Sequence, residues 1–295
     1  MKKILIAAAS LLMMAGVLTS CGNKELRGFK KTKTGLHYKF HEKTNNPRVE
    51  IGDIIIAEIW VYVGGELEFT NAGAPEPMFQ VMESMHGGDL MEALRMVGRG
   101  DSVTFAFNMD SLRRYNPGMP DDGTKFLFYT IKVDWFGSEE EFELKMEEDQ
   151  IRGEAEEAEQ LAAHISEQGI TVKPNDDGVY VIVTTRGNGA VATRGKTIQM
   201  NYVGRFLDGT VFDTSLEDIA KAHELYTMGR SYEPLQFAIG VGQVIPGMDN
   251  ALVDMRAGTK ATLIIPSNMG YGSRNQGTIP AFSTLVFDVE IVSVQ

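Results

Sequence analysis

The chain has 295 residues, 43% of them hydrophobic, which is enough apolar material to fill two cores of ordinary domain size. Against 28 Lys and Arg stand 40 Asp and Glu, a formal charge of −12, which disfavours nucleic acid and anionic lipid surfaces as partners because both need a basic surplus. The single cysteine, Cys21, excludes an intramolecular disulfide and a cysteine-based metal site.

Residues 1–20 read as an address rather than a fold. Lys2 and Lys3 form a positive start, and Ile4 to Val17 is an uncharged, largely apolar run. It is shorter than the roughly 20 apolar residues of a membrane-spanning helix, so it reads as a signal peptide. Leu18-Thr19-Ser20-Cys21 resembles the bacterial lipobox, in which the cysteine becomes the new N-terminus and carries acyl chains. Lipid attachment at Cys21 is therefore expected, with residues 21–32 as a tether and the membrane as a partner through that lipid. The expected location is the cell envelope of a bacterium, at the periplasmic face or the cell surface. An ordinary cleaved signal with a chance cysteine is the alternative.

Two stretches then read alike, at residues 33–136 and 170–295. Gly35-Leu36-His37-Tyr38-Lys39-Phe40 parallels Gly178-Val179-Tyr180-Val181-Ile182-Val183, Gly52 parallels Gly195, and Phe69 parallels Phe212, all at one constant offset. Downstream the match resumes at a longer offset: Ala93-Leu94 with Ala251-Leu252, Gly100 with Gly258, Leu127 with Leu285. The second copy thus carries an insert between Phe212 and Leu252. Two copies are too few for a solenoid and indicate duplicated globular domains.

Between them, residues 137–169 read as a helical linker, rich in Glu and free of Pro, with Gly153 as a weak point and Gly169 as its C-cap. Its apolar stripe is thin, so a solvated spacer is favoured over a helix that docks on a domain or pairs with a second copy. In the second domain Thr197–Val203 and Thr284–Ile291 alternate like strands, Lys260–Ile265 is a third, and Pro246–Asp254 has a helical face of Met248, Ala251 and Leu252. The fold class expected is α+β, with two such domains.

Specific motifs sit on this frame. Tyr202-Val203-Gly204, then Asp208-Gly209-Thr210-Val211-Phe212-Asp213-Thr214-Ser215, then Phe237-Ala238-Ile239-Gly240, Val244-Ile245-Pro246-Gly247-Met248, Tyr271-Gly272, Ile279-Pro280 and Leu285-Val286-Phe287-Asp288 follow in order. Together they resemble the ordered blocks of FKBP-type peptidyl-prolyl cis–trans isomerases, over roughly Gly178 to Val294. The resemblance implies FKBP-like domains, each a twisted antiparallel sheet wrapped on a short helix. It also implies an apolar cleft with Tyr202, Phe212, Asp213, Ile245, Tyr271 and Phe287 as the catalytic set. Leu235, Phe237, Val244, Met248 and Ile279 would complete the substrate-binding wall. In that scheme Ile245 offers its backbone N–H to a substrate carbonyl and Tyr271 its hydroxyl from the rim. Proline-containing unfolded or exported polypeptides would be the substrates, with no cofactor and no metal. Taken singly, Phe212, Phe237, Phe287, Val244 and Ile245 read equally well as core residues, and Asp213 as a turn residue bonding nearby backbone.

Several positions depart from the family pattern. Met248 stands where Trp is common, Leu235 where an aromatic is common, and Arg274-Asn275-Gln276-Gly277 lacks a usual histidine. The basic residue that often partners the aspartate is replaced by Asp218, leaving Arg230 or Lys221 of the insert as substitutes. The insert reads as a short helix capped by Ser215, answered by Asp218, and placed as a flap beside the cleft. The first copy has Ile59 opposite Tyr202, Thr70 opposite Asp213 and His86-Gly87-Gly88-Asp89 in place of the Val-Ile block, so it is expected to keep the fold without the site. His37, His41 and His86 are too scattered to suggest a metal. The function expected is isomerisation of X–Pro bonds in exported proteins by desolvation and transition-state binding. The alternative is a non-catalytic holdase gripping unfolded envelope proteins. Pairing of two copies is left open.

Overall fold

A computed structural model describes residues 24–73, 76–119 and 121–295. The expected signal segment and the lipid site at Cys21 lie outside the described residues. The chain divides into two units, one ending at Ser138 and one running from Glu139 to Gln295.

The first unit contains β1 (Lys30–Lys31), β2 (His37–Glu42), β3 (Ile54–Val63), β4 (Glu66–Thr70), β5 (Glu76–Gln80), α1 (Leu90–Leu94), β6 (Ser102–Asn108), α2 (Met109–Tyr115) and β7 (Phe126–Gly137). The second contains α3 (Glu139–Glu167), β8 (Tyr180–Thr185), β9 (Thr197–Phe206), β10 (Val211–Thr214), α4 (Glu217–Ala222), β11 (Leu235–Ala238), α5 (Pro246–Leu252), β12 (Lys260–Ile265) and β13 (Leu285–Val294). Both sheets are antiparallel. The first runs β1-β2-β6-β7-β3-β4 with β5 also on β3, and the second runs β8-β12-β13-β9-β10 with β11 also on β9. Matching β2 through β7 to β8 through β13 in chain order makes the two orders coincide, so the repeat seen in sequence is a repeat of topology.

In the second unit the core follows from period-two burial. Leu285, Phe287, Val289 and Ile291 of β13 point inward together with Ala261, Leu263 and Ile265 of β12. Met248 and Leu252, four apart on α5, cover them. The helix lies close to the sheet because Gly247 has no side chain: a Cβ there would stand 2.4 Å from Ile265 Cγ2. Each such buried aliphatic side chain contributes about 1.5–3 kcal/mol of transfer free energy. The first unit has its own core of Ile55, Ala57, Ile59, Phe105, Leu94 and Ile131.

The expected linker helix is present as α3, and its C-cap is as predicted. Gly169 adopts φ +61°, and Ile170 N–H reaches back to the Ile165 carbonyl at 3.0 Å. The solvated-spacer reading does not hold, because α3 docks on the second unit. Its one buried residue is Glu157, bonded to Ser267 and Thr284. Gly153 is a packing site rather than a weak point, since a Cβ there would fall 2.4 Å from the Phe282 ring.

Candidate active site

The β9–β10 hairpin turns at Asp208-Gly209. Gly209 takes φ +88°, and Asp208 Oδ1 accepts the Thr210 N–H at 2.9 Å. A bulge between Val211 and Asp213 shifts the pairing with β9, the kind of irregularity that re-aims a side chain. The Tyr202 hydroxyl donates to Asp213 Oδ2 at 2.6 Å. The Arg230 guanidinium, from the insert, lies 2.8 Å from Asp213 Oδ1, which also accepts the Thr214 N–H at 2.9 Å. Arg230 is tied down further by the Thr214 carbonyl at 3.1 Å.

Beside this network lies an apolar floor. β13 pairs with β9 so that Phe287 stands opposite Gly204. The gap left by glycine admits two rings, because a Cβ there would be 2.7 Å from Phe212 and 2.8 Å from Phe287. Phe212 and Phe287 meet edge to face at 5.7 Å, Tyr202 lies 6.3 Å from Phe287, and Phe206 packs on Phe212 at 5.0 Å. Phe237, Met248 and Ile279 are buried in the same cluster, with Val244 and Ile245 packed against it. Asp249, buried at the start of α5, accepts the N–H groups of Gly240 and Gly242 at 2.6 and 2.8 Å and so fixes the loop leading to Ile245. Ile245 caps α5, and its carbonyl accepts the Met248 and Asp249 N–H groups at 3.0 Å. Its own N–H has no acceptor among the described residues.

The electrostatics keep the phenols protonated. Burial first, then the hydrogen bond and charge of Asp213, push the Tyr202 hydroxyl far above the ordinary tyrosine value. Burial and the Asp213 charge also raise Tyr271, which is 40% exposed. Burial works against the charge of Arg230, but its hydrogen bond and attraction to Asp213 outweigh that and raise its pKa. Both Asp213 oxygens are occupied by donors. The carboxylate therefore orders its neighbours. What the site presents is an aromatic floor, an unpaired backbone N–H at Ile245 and, in Tyr271, a phenol kept protonated with no acceptor among the described residues.

The family match falls within this unit. A model of the FKBP-type peptidyl-prolyl cis-trans isomerase family matches residues 189–292. The FK506-binding protein of Neisseria meningitidis serogroup A is 41% identical over 109 residues, which are 37% of this chain and 88% of that protein. The chain belongs to the FKBP-type peptidyl-prolyl cis–trans isomerases. FK506-binding protein 2 of Yarrowia lipolytica is 39% identical over 104 residues, 35% of this chain and 63% of that protein. The FKBP-type 22 kDa peptidyl-prolyl cis-trans isomerase of Escherichia coli is 38% identical over 124 residues, 42% of this chain and 53% of its own length. A crystal structure of FkpA from Escherichia coli aligns over 52% of this chain and 64% of that one, at 33% identity and a TM-score of 0.40.

The residues that the FKBP resemblance singled out fall into three groups. Tyr202, Phe212, Val244, Ile245, Met248, Ile279, Phe287 and Phe237 share one cluster, and Asp213 bonds to Tyr202. Tyr271 is outside that cluster, partly exposed and within reach of the Asp213 charge. Leu235 begins β11 partly exposed and is not part of that cluster. Of the two substitutes for the missing basic partner, Arg230 takes the place, while Lys221 pairs with Glu217 at 2.6 Å within α4. The capping reading of Ser215 is corrected: α4 is capped by Leu216 without a side-chain bond, and Ser215 Oγ instead accepts the Tyr202 N–H at 2.9 Å. Phe206 and Asp249 were not foreseen. Phe206 was recoverable from parity, since it shares the face of Tyr202 and Gly204 on β9.

In the first unit Ile59 is buried in the core and the Thr70 hydroxyl donates to the Ile59 carbonyl at 2.8 Å, so the phenol–carboxylate pair has no counterpart there. In the isomerase unit, Gly204→Ala should displace both floor rings. Overpacking of this kind costs about 2 kcal/mol, and peptide turnover should fall about tenfold as the floor loses its shape. Thermal melting beside a peptide isomerisation assay measures both; retention of wild-type turnover would show that the two rings do not shape the cleft.

Proposed function

We propose that this chain is a lipid-anchored foldase of the bacterial cell envelope, acting on X–Pro bonds in exported polypeptides. The observation that supports the cleft chemistry is the juxtaposition of the unpaired Ile245 N–H with an aromatic floor and a saturated Tyr202–Asp213–Arg230 network. Rotation about an X–Pro amide faces a barrier of about 18–20 kcal/mol set by resonance. Twisting destroys that resonance and lessens charge separation, so the perpendicular state needs less water around its carbonyl. A cleft that strips water away and fits the twisted ring binds this state better than either planar one. A thousandfold acceleration asks for only about 4 kcal/mol. Shape, desolvation and one N–H to the substrate carbonyl supply that scale. Tyr202, Phe212, Asp213, Ile245, Tyr271 and Phe287 form the catalytic set in this reading, with Phe237, Val244, Met248 and Ile279 as the wall.

The envelope assignment is supported by Lys2, Lys3, the short apolar run and the Leu-Thr-Ser-Cys sequence. Fatty-acid labelling of the full chain expressed in bacteria should mark the wild type and not Cys21→Ser; absence of label on both would remove the anchor. Refolding of a denatured protein whose slow phase is an X–Pro isomerisation should accelerate in proportion to added chain. Suppressed aggregation with no acceleration would favour the holdase reading instead.

A further inference from the structure

One long loop carries two of the site residues. It leaves β12 at Pro266, holds Tyr271 and Ile279, and rejoins β13 at Leu285. Both of its ends converge on a residue from outside the family-matched segment. Glu157, on α3, is 9% exposed and is the only buried residue of that helix. Its Oε1 accepts the Ser267 N–H and the Thr284 hydroxyl, both at 2.6 Å, and its Oε2 accepts the Ser267 hydroxyl at 2.5 Å. One carboxylate thus ties the first and last turns of the loop together. A buried carboxylate is costly unless donors surround it, and here three do.

The connection continues towards the site. The Ser267 carbonyl accepts the N–H groups of Gly270 and Gly272 at 2.8 Å, the two neighbours of Tyr271. The Gly272 carbonyl accepts the Phe282 N–H at 2.9 Å. Phe282 adopts φ +55°, a conformation that a bulky residue holds only when its surroundings impose it. The surroundings are α3: the Phe282 ring lies where a Cβ of Gly153 would be, four residues before Glu157 and on the same face. Gly153 admits the ring and Glu157 closes the loop, so the one interior glycine and the one buried acid of α3 serve one docking site. On its other side the Ser267–Gly270 turn abuts α5, whose Gly247 would place a Cβ 3.1 Å from the Met269 carbonyl oxygen.

We propose that Glu157 is a positioning residue of the isomerase, and that α3 holds the Tyr271 loop in its working geometry through it. The proposal rests on the isomerase reading of the cleft. A loop whose two ends are released explores more shapes, and an ångström of misplacement at the rim lowers turnover without removing any group that touches substrate.

The test uses the full chain, with kcat/KM on an X–Pro peptide read at a temperature where melting curves show every variant folded. Glu157→Ala should lose about tenfold. Glu157→Gln should be rescued to near wild type, because its amide oxygen still accepts from Ser267 N–H and Thr284. Added to Tyr271→Phe, Glu157→Ala should lose much less than the product of the two single losses. Should Glu157→Ala fail to fold, Thr284→Val removes one donor from the clamp and is expected to show a smaller loss with the same shortfall on Tyr271→Phe. Wild-type kcat/KM in Glu157→Ala, or in Thr284→Val where that variant stands in, would overturn the proposal. Losses that multiply in full with Tyr271→Phe would do the same. An inactive wild type would instead strike the isomerase reading and is distinguished by that control.

Discussion

Asp213→Ala is expected to lower kcat/KM on an X–Pro peptide roughly ten- to a hundredfold with little change in the stability of its unit. The carboxylate accepts from Tyr202, Arg230 and Thr214 together. Losing that carboxylate lets the groups it orders shift, a misplacement that costs about ten- to a hundredfold in turnover, and each 1.36 kcal/mol of lost transition-state stabilisation is about tenfold in rate. The stability effect is small because the ion pair is partly solvated, with side-chain exposures of 40% for Arg230 and 38% for Asp213. Such pairs contribute about 1 kcal/mol or less. Asp213→Asn separates two roles. An asparagine oxygen can still accept from Tyr202, so a group that orders its neighbours should be largely preserved, whereas a proton acceptor would be lost as fully as in alanine. Arg230→Ala should cost only about threefold, since Tyr202 and Thr214 still hold the carboxylate. A protease-coupled peptide assay on the four proteins decides between these, and equal background rates in wild type and Asp213→Ala would return the argument to the holdase.

How far the sequence could lead is visible in the same residues. The strands of the second unit were legible because alternation is a local property: the pattern gives β12 its observed bounds, and it starts β13 one residue early and ends it three residues short. The floor residues were legible because the family blocks stand in order. Arg230 was only one of two options, because a sequence gives the length of an insert but not its path through space. Nothing local distinguishes it from Lys221, which turned out to serve α4 itself. The docking of α3 was missed for a sharper reason. An amphipathic reading looks for an apolar stripe, and α3 exposes Leu144, Met146 and Ile151 while burying a glutamate and setting a glycine against the Phe282 ring. Its contact with the isomerase unit is polar and shape-based, so hydropathy carries no trace of it. Ser215 was misread because its hydroxyl has two competitors for a bond, the next helix and the neighbouring strand, and the strand's Tyr202 N–H wins.

The first unit allows a complementary experiment, because it buries a charge at a position where its copy has a threonine. Asp101 is fully buried, and in the repeat its place is taken by Thr259. Its Oδ1 accepts the Thr44 N–H and hydroxyl at 2.6 and 2.9 Å, and its Oδ2 accepts the Gly98 N–H at 3.0 Å and the Arg48 guanidinium. Burial by itself raises its carboxyl, but the bonds from Thr44 and Gly98 and the charge of Arg48 outweigh it and hold the group below its ordinary value of 3.8. Asp101→Ala leaves those donors unpaired and should destabilise the first unit by about 3 kcal/mol, the lower end for breaking a buried pair because Arg48 reaches solvent. Both tryptophans, Trp60 on β3 and Trp135 on β7, lie in this unit, so urea unfolding followed by their fluorescence reads it alone. A depressed carboxyl gives stability that is present above 3.8 and lost as pH falls through the folded value, so wild type should weaken below about pH 4 more steeply than Asp101→Asn. Turnover of a short X–Pro peptide should stay at the wild-type rate throughout, since every residue of the cleft belongs to the second unit. A loss of turnover that tracks the loss of tryptophan signal would mean that the catalytic unit depends on its degenerate copy for shape. In that case the duplication would be part of the enzyme's mechanism.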